Sequence, residues 1–135
     1  MLAFRHRLTW MDVDYARVAH YLRYFVWVDE AFHGYLFEHG FHIREFTEQG
    51  YGLPYLGSSC RYFRALRLED EVEIQLAVTN LDDKGFTLRY RIVKAGDAAV
   101  AAEGETVRRC VQQSPSRSVE MPRALKQALG ALVEV

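Results

Sequence analysis

Asp12 and Asp14 stand two residues apart in DVDYARVAHY, a polar stretch ending where a long aromatic-rich segment begins at His20. A carboxylate can attack an acyl carbon or activate water for that attack. The start of a helix supplies the complementary group, because its first backbone N–H groups lack partners and its dipole end is positive. A carbonyl oxygen gaining negative charge during acyl transfer is stabilised at such a place. The ordinary alternative is that Asp14 caps the helix or sits in a solvated loop. Six residues separate Asp14 from His20, too many for a cap if the helix begins there. Asp12 reads as structural, holding the loop through backbone hydrogen bonds. His20 lines an acyl pocket, shares a proton or simply packs.

The elements that must hold these groups follow from periodicity. Leu2, Phe4, His6, Leu8 and Trp10 alternate with Arg5, Arg7 and Thr9, which predicts a strand with the first set on one face and the second on the other. HYLRYFVWVDEAFHGYLFEH, residues 20–39, has no proline and is apolar nearly all round, so it predicts an enclosed helix. A helix of that length spans about 30 Å, the width of a small domain. Gly40 is placed to end it. Glu30 lies seven residues from Arg23 on one side of this helix and reads as a buried carboxylate that needs a partner. Residues 43–49 predict a short helix, broken by Gly50, Gly52 and Pro54.

The second half changes to period two. Strands are expected over 58–65, 71–79 (Val72, Ile74, Leu76, Val78 inward), 86–94 (Phe86, Leu88, Tyr90, Ile92 inward) and 98–112. Asp82-Asp83-Lys84-Gly85 and Gly96-Asp97 are the turns. A tail, QQSPSRS, leads to a short amphipathic helix over 122–132. The order is strand, long helix, then four strands read as an antiparallel meander. A sheet covering so apolar a helix has to curl around it, which makes the class α+β. One domain is expected over 1–135, its core about 2–112 and its tail and short helix 113–135. Sheet edges and helix ends left uncovered predict a homodimer or a dimer of dimers.

Half of the residues are apolar and 26% are charged, as in a globular chain. A net charge of −1 gives no electrostatic case for nucleic acid or an anionic membrane. No apolar run is long enough to span a bilayer, and MLAFRHRLTW lacks the apolar stretch of a signal peptide, so a cytoplasmic chain starting near Met1 is expected. Cys60 and Cys110 read as reduced packing residues, with a disulfide as the alternative, and no Cys/His spacing fits a metal.

Asp12, Asp14, Val18, Tyr21, Tyr24, Glu30, Ala31 and the closing Glu38-His39-Gly40 fall in step with a known pattern, and SSCRYFRALRLEDEVEI follows it downstream. The chain resembles the 4-hydroxybenzoyl-CoA thioesterase family of acyl-CoA hydrolases over most of residues 4–112. The resemblance implies a hotdog fold, a five-stranded, strongly bent antiparallel sheet wrapped around one long central helix. It implies hydrolysis of an acyl-CoA or acyl-carrier thioester, with Asp14 as nucleophile or general base and the Tyr21 amide polarising the carbonyl. Arg17, His20 and Tyr24 then belong to the substrate pocket. No metal or cofactor is implied beyond the coenzyme A of the substrate.

Two positions depart from the pattern. Arg17 replaces a glycine, which permits positive φ or close approach of backbone to the thioester, and Arg23 replaces an asparagine. A cation at Arg17 either favours ionised Asp14 or locks it in an ion pair. Coenzyme A phosphates need cations at the rim. The family's basic turn is reduced here to Lys84, with Arg64 among the arginines that stand as alternatives. The competing reading is a hotdog protein that binds an acyl group or a partner without hydrolysis, its loop altered by Arg17. A dehydratase would need a His–Glu pair in a different, HFPG-like motif, which is missing.

Overall fold

The structure is a computed structural model that describes residues 2–134. Met1 and Val135 lie outside the described residues, as does the side chain of Leu2, which the alternation puts on one face with Phe4 and His6. In chain order the elements are β1 (Leu2–Arg7), α1 (Arg23–Glu38), α2 (Ile43–Glu48), β2 (Tyr51–Gly52), β3 (Tyr55–Tyr62), β4 (Glu71–Thr79), β5 (Gly85–Lys94), β6 (Val100–Arg109), β7 (Val111–Gln113), β8 (Ser116–Ser118) and α3 (Arg123–Gly130).

Alternation in β4 and β5 is realised as read: Val72, Ile74, Leu76 and Val78, and Phe86, Leu88, Tyr90 and Ile92, are all buried. These side chains face α1, which buries Tyr24, Trp27, Val28, Ala31, Phe32, Tyr35 and Leu36 at helical spacing. Five antiparallel strands in the order β1-β4-β5-β6-β3 with one long helix on the inner face form the expected hotdog layout. A separate three-stranded sheet, β2-β7-β8, pairs Tyr51–Gly52 with two short strands formed around the region read as a polar tail.

The four-strand meander needs correction. Only β4-β5-β6 is a meander; β3 pairs with β6 across Ser59↔Glu105 and Tyr62↔Ala102, not with its sequence neighbour β4. β3 is therefore an edge, and it begins at Tyr55. Three further expectations change. Trp10 leaves the strand for a single 3₁₀ turn, Trp10–Asp12, and is 78% exposed. The helix is enclosed on one side only, with Glu30, Phe37 and Glu38 exposed, so Glu30 is not a buried carboxylate. The core extends past residue 112: Leu125 and Leu129 of α3 are fully buried, and Ala128 O accepts the Tyr35 hydroxyl at 2.7 Å. Gly40, at φ 86°, follows the end of α1 as expected, and both cysteines are free thiols.

Candidate active site

The Asp14 region is a miniature hairpin. Val13 bridges Ala19, the Asp14 N–H donates to Val18 O at 3.1 Å, and the His20 N–H donates to Asp12 O at 2.8 Å. Its tip closes through the Arg17 N–H to Asp14 O at 2.9 Å. Asp14 Oδ1 accepts the Ala16 N–H at 2.9 Å, the local bond that makes Asp a favoured first residue of such turns. A three-residue hairpin loop needs a left-handed residue last, and Arg17 supplies it at φ 65°. The glycine geometry is thus kept with a side chain in place. That side chain is exposed, and among the described residues it makes no ion pair with Asp14.

The hairpin delivers the chain directly to the helix start. α1 begins at Arg23, not His20, because residues 20–23 form a turn closed by the Arg23 N–H to His20 O at 2.9 Å. In a trans peptide the C=O and N–H point opposite ways. His20 C=O faces the first helical turn, so the Tyr21 N–H faces away from it, and no partner for that N–H exists among the described residues. The Tyr62 hydroxyl donates to Tyr21 O at 2.6 Å, and His20 Nδ1 accepts the Leu22 N–H at 3.2 Å. The His20 ring stacks on the Tyr21 ring with centroids 4.7 Å apart. Tyr21 and Leu22 are 59% and 49% exposed, so in the single chain this helix start is open and not sealed inside the sheet.

A cleft of about 310 Å³ opens at the helix start. Tyr21, Tyr24 and Arg64 line it, together with Tyr62 and Phe63 of the β3 end and Val18 of the hairpin. Tyr24 packs edge-on to Tyr62 at 4.9 Å, and burial, then the neighbouring Cys60, pushes its hydroxyl up to about 12. Burial, with Cys60 and the adjacent tyrosines, pushes Tyr62 up as well, so both remain hydrogen-bond donors. Asp14, Arg17 and His20 sit on the hairpin adjoining the cleft through Val18 and Ala19. Lys84 does not join them. It precedes Gly85, paired with Arg109, whereas the Arg64 N–H bonds Ala101 O at the opposite end of β6. Seven strand residues separate the ends, eight rises or roughly 26 Å.

Behind the hairpin, Asp12 is buried and takes bonds from four directions. Oδ1 accepts Arg23 Nε at 2.9 Å and Trp27 Nε1 at 2.8 Å, while Oδ2 accepts the Thr9 N–H at 2.8 Å and meets His6 Nε2 at 2.9 Å. Burial alone would raise its pKa, but the Thr9, Trp27, His6 and Arg23 bonds outweigh that and hold it at about 2. The structural reading of Asp12 stands, with side-chain partners added to the backbone one.

Sequence reasoning passed over two features. Tyr62, one tyrosine among eight, carried no signal of its contact with Tyr21. A second cleft, about 330 Å³, lies between α1 and β3, lined by Phe25, Val26, Asp29, Tyr55 and Ser58. The Tyr55 hydroxyl donates to Asp29 there. Behind them the buried guanidinium of Arg108 lies 4.4 Å from the Tyr55 ring and 3.8 Å from Asp29 Oδ1. An Asp on an otherwise aromatic helix, and Arg108 in an inward register of β6, were the available signs.

Comparison with known proteins agrees with this architecture. The family model described as "Thioesterase-like superfamily" matches residues 8–129. A 1,4-dihydroxy-2-naphthoyl-CoA hydrolase of Microcystis aeruginosa is 27% identical over 122 residues, covering 90% of this chain and 87% of that one. The crystal structure of a gentisyl-coenzyme A thioesterase superposes with TM-score 0.82 at 28% identity, over 95% of this chain and 99% of that one. That of a 1,4-dihydroxy-2-naphthoyl-CoA thioesterase from Synechocystis superposes with TM-score 0.91 at 20% identity, over 96% of both chains, and bears on the fold alone. With a family match over nearly the whole chain and the same helix-in-sheet fold, the chain belongs to the thioesterase-like superfamily.

Proposed function

We propose that the protein hydrolyses an acyl-CoA thioester, with Asp14 as nucleophile or general base and the Tyr21 amide polarising the carbonyl. The observation that carries this reading is the Tyr21 N–H: it is turned away from the helix, has no partner among the described residues, and belongs to a residue that lines an aromatic cleft. A carbonyl oxygen bonded there gains a preorganised donor as it becomes an oxyanion. Asp14 stands on the hairpin that runs into the same helix start, its Oδ1 tied to Ala16 and its carboxylate half-buried. The tyrosines around the cleft suit an aromatic acyl group, in keeping with the aryl-CoA names of the relatives.

The site is completed by a second copy in this reading. β3 is an edge strand exposed along most of its length. A two-fold axis that pairs two such edges antiparallel brings the partner subunit's Lys84 to the Arg64 end, where both cations can meet the phosphates of coenzyme A. The non-hydrolytic alternative draws on Arg17 as a lock on Asp14; the Arg17 side chain is exposed and among the described residues makes no ion pair with Asp14, which speaks against such a lock.

The test is thiol release from 1,4-dihydroxy-2-naphthoyl-CoA, gentisyl-CoA and benzoyl-CoA by wild type and Asp14→Asn. Wild type is expected to hydrolyse at least one, and Asp14→Asn to lose about a thousandfold in kcat with its fold intact. Equal rates for the two proteins would refute the assignment of Asp14.

A further inference from the structure

The Tyr21 carbonyl and the Leu22 N–H are the two ends of one peptide unit, and each end is held by a side chain. The Tyr62 hydroxyl donates to the oxygen at 2.6 Å, and His20 Nδ1 accepts the N–H at 3.2 Å. This unit directly follows the peptide that carries the free Tyr21 N–H. Rotation about the two dihedrals of Tyr21 is the only soft motion between them. The peptide that carries the Tyr21 N–H is itself tied at its carbonyl, where His20 O accepts the Arg23 N–H, and the unit before it is tied through the His20 N–H to Asp12 O.

We infer that Tyr62 and His20 are positioning residues, a two-sided clamp that fixes the direction of the Tyr21 amide. This rests on the reading that the Tyr21 amide polarises the thioester. Neither residue touches the reacting atoms in this role. Tyr62 reaches from the last residue of β3, so the sheet edge itself is tied to the helix start. His20 acts with Nδ1 as acceptor and therefore with its proton on Nε2. Without the clamp, the exposed residues Tyr21 and Leu22 have little packing to hold them, at 59% and 49% exposure. An oxyanion donor is effective only when its direction is set before the charge develops. Small misplacements of such groups cost rate more than binding.

The clamp is read in two ways, on the intact chain. The first is kcat and KM with 1,4-dihydroxy-2-naphthoyl-CoA, gentisyl-CoA and benzoyl-CoA for Tyr62→Phe, His20→Ala and His20→Asn. Tyr62→Phe keeps the ring against Tyr24 and removes only the hydroxyl. His20→Asn keeps an acceptor where Nδ1 stood, as Ala does not. kcat is expected to fall about tenfold in Tyr62→Phe and His20→Ala with KM within about twofold, and to recover in His20→Asn. Tyr90→Phe, which removes another hydroxyl bonded to a β3 carbonyl, that of Ser59, is expected to leave kcat unchanged. The second readout, independent of turnover, is hydrogen exchange at the Leu22 amide, faster in Tyr62→Phe and His20→Ala and slowed again in His20→Asn. Unchanged kcat and exchange in either variant, or no recovery with Asn, would overturn the clamp. Wild-type activity in Asp14→Asn would instead sink the Asp14 assignment, leaving exchange to decide the clamp on its own.

Discussion

The indole Nε1–H of Trp27 donates to Oδ1 of Asp12 at 2.8 Å, joining the second turn of α1 to the strand of the Asp14 hairpin. The same carboxylate holds Arg23, His6 and the Thr9 N–H, so β1, the 3₁₀ turn and α1 meet on one buried charge. Its folded pKa, about 2, lies below the ordinary 3.8, so folding favours the charged form. Stability from this shift is complete above about pH 4 and is lost as pH falls towards 2, about 2 kcal/mol in all. Asp12→Asn is expected to lower the urea midpoint at pH 6, and its gap from wild type to shrink below pH 4. A gap that stays constant from pH 6 to pH 2.5 would contradict this account.

Arg17 at φ 65° is a strained residue in a turn built for glycine. The left-handed conformation costs a non-glycine residue about 1 kcal/mol, partly offset by the extra chain entropy glycine loses on folding. Arg17→Gly should therefore raise stability by roughly 0.5 kcal/mol while leaving kcat within about twofold, because the Asp14 turn already has its glycine shape. Thermal melts and thiol release decide both halves. A large gain in rate would mean that the Arg17 side chain itself restrains the site.

Gly104 sits in β6 opposite Cys60 of β3 on one side and Tyr90 of β5 on the other. A Cβ there would run into Ser59 O and stand 2.6 Å from the Tyr90 hydroxyl. Tyr90 already uses that space to donate to Ser59 O at 2.5 Å. Gly104→Ala is expected to cost about 3 kcal/mol, since backbone and not a flexible side-chain end must yield. The melting temperature should drop by roughly 10 °C. An unchanged melt would show that β3 can shift without penalty.

How much of this was legible depends on how local each cause is. Val72 to Val78 and Phe86 to Ile92 declared their faces because each strand buries one side, and Asp82 to Gly85 announced the turn between them. The partner of β3 was not legible. Ser59 pairs with Glu105, far along the chain, and a meander is only the default when no register is visible. The helix start was misread by three residues because aromatic content continues through His20, Tyr21 and Leu22, while the bond from the Leu22 N–H to His20 Nδ1 favours a turn there. Trp10 broke its alternation because Thr9 and Asp12 close a 3₁₀ turn. Glu30 reads as buried from the apolar residues around it, yet the face it occupies is uncovered in the single chain. For the candidate site, Asp14, Tyr21 and Tyr24 came from a local motif. Tyr62, Asp29 and Arg108 enter only through tertiary packing.

The edge strand supplies the last prediction. In an antiparallel strand the N–H groups of consecutive residues face opposite sides. The Phe63 N–H donates to Ala101 O at 2.8 Å, so those of Arg61 and Ser59 also face β6, while those of Tyr62, Cys60 and Ser58 face outward. Leu56, 63% exposed, and Tyr55, 45% exposed, add apolar surface to this row of free donors, the arrangement that invites another strand. Wild type is therefore expected to be at least a dimer by light scattering at micromolar concentration. Ser58→Pro removes one outward N–H and leaves the β3–β6 ladder its own, since proline is tolerated on an edge in that register. It should yield a monomer that still folds, with thiol release reduced at low phosphate occupancy because Arg64 no longer meets the partner subunit's Lys84. The loss should appear chiefly as a higher KM for acyl-CoA and weigh less on a pantetheine thioester, which carries no 3′-phosphate to bind. A monomeric wild type would refute the dimer, and a Ser58→Pro dimer as tight as wild type would place the contact elsewhere than β3.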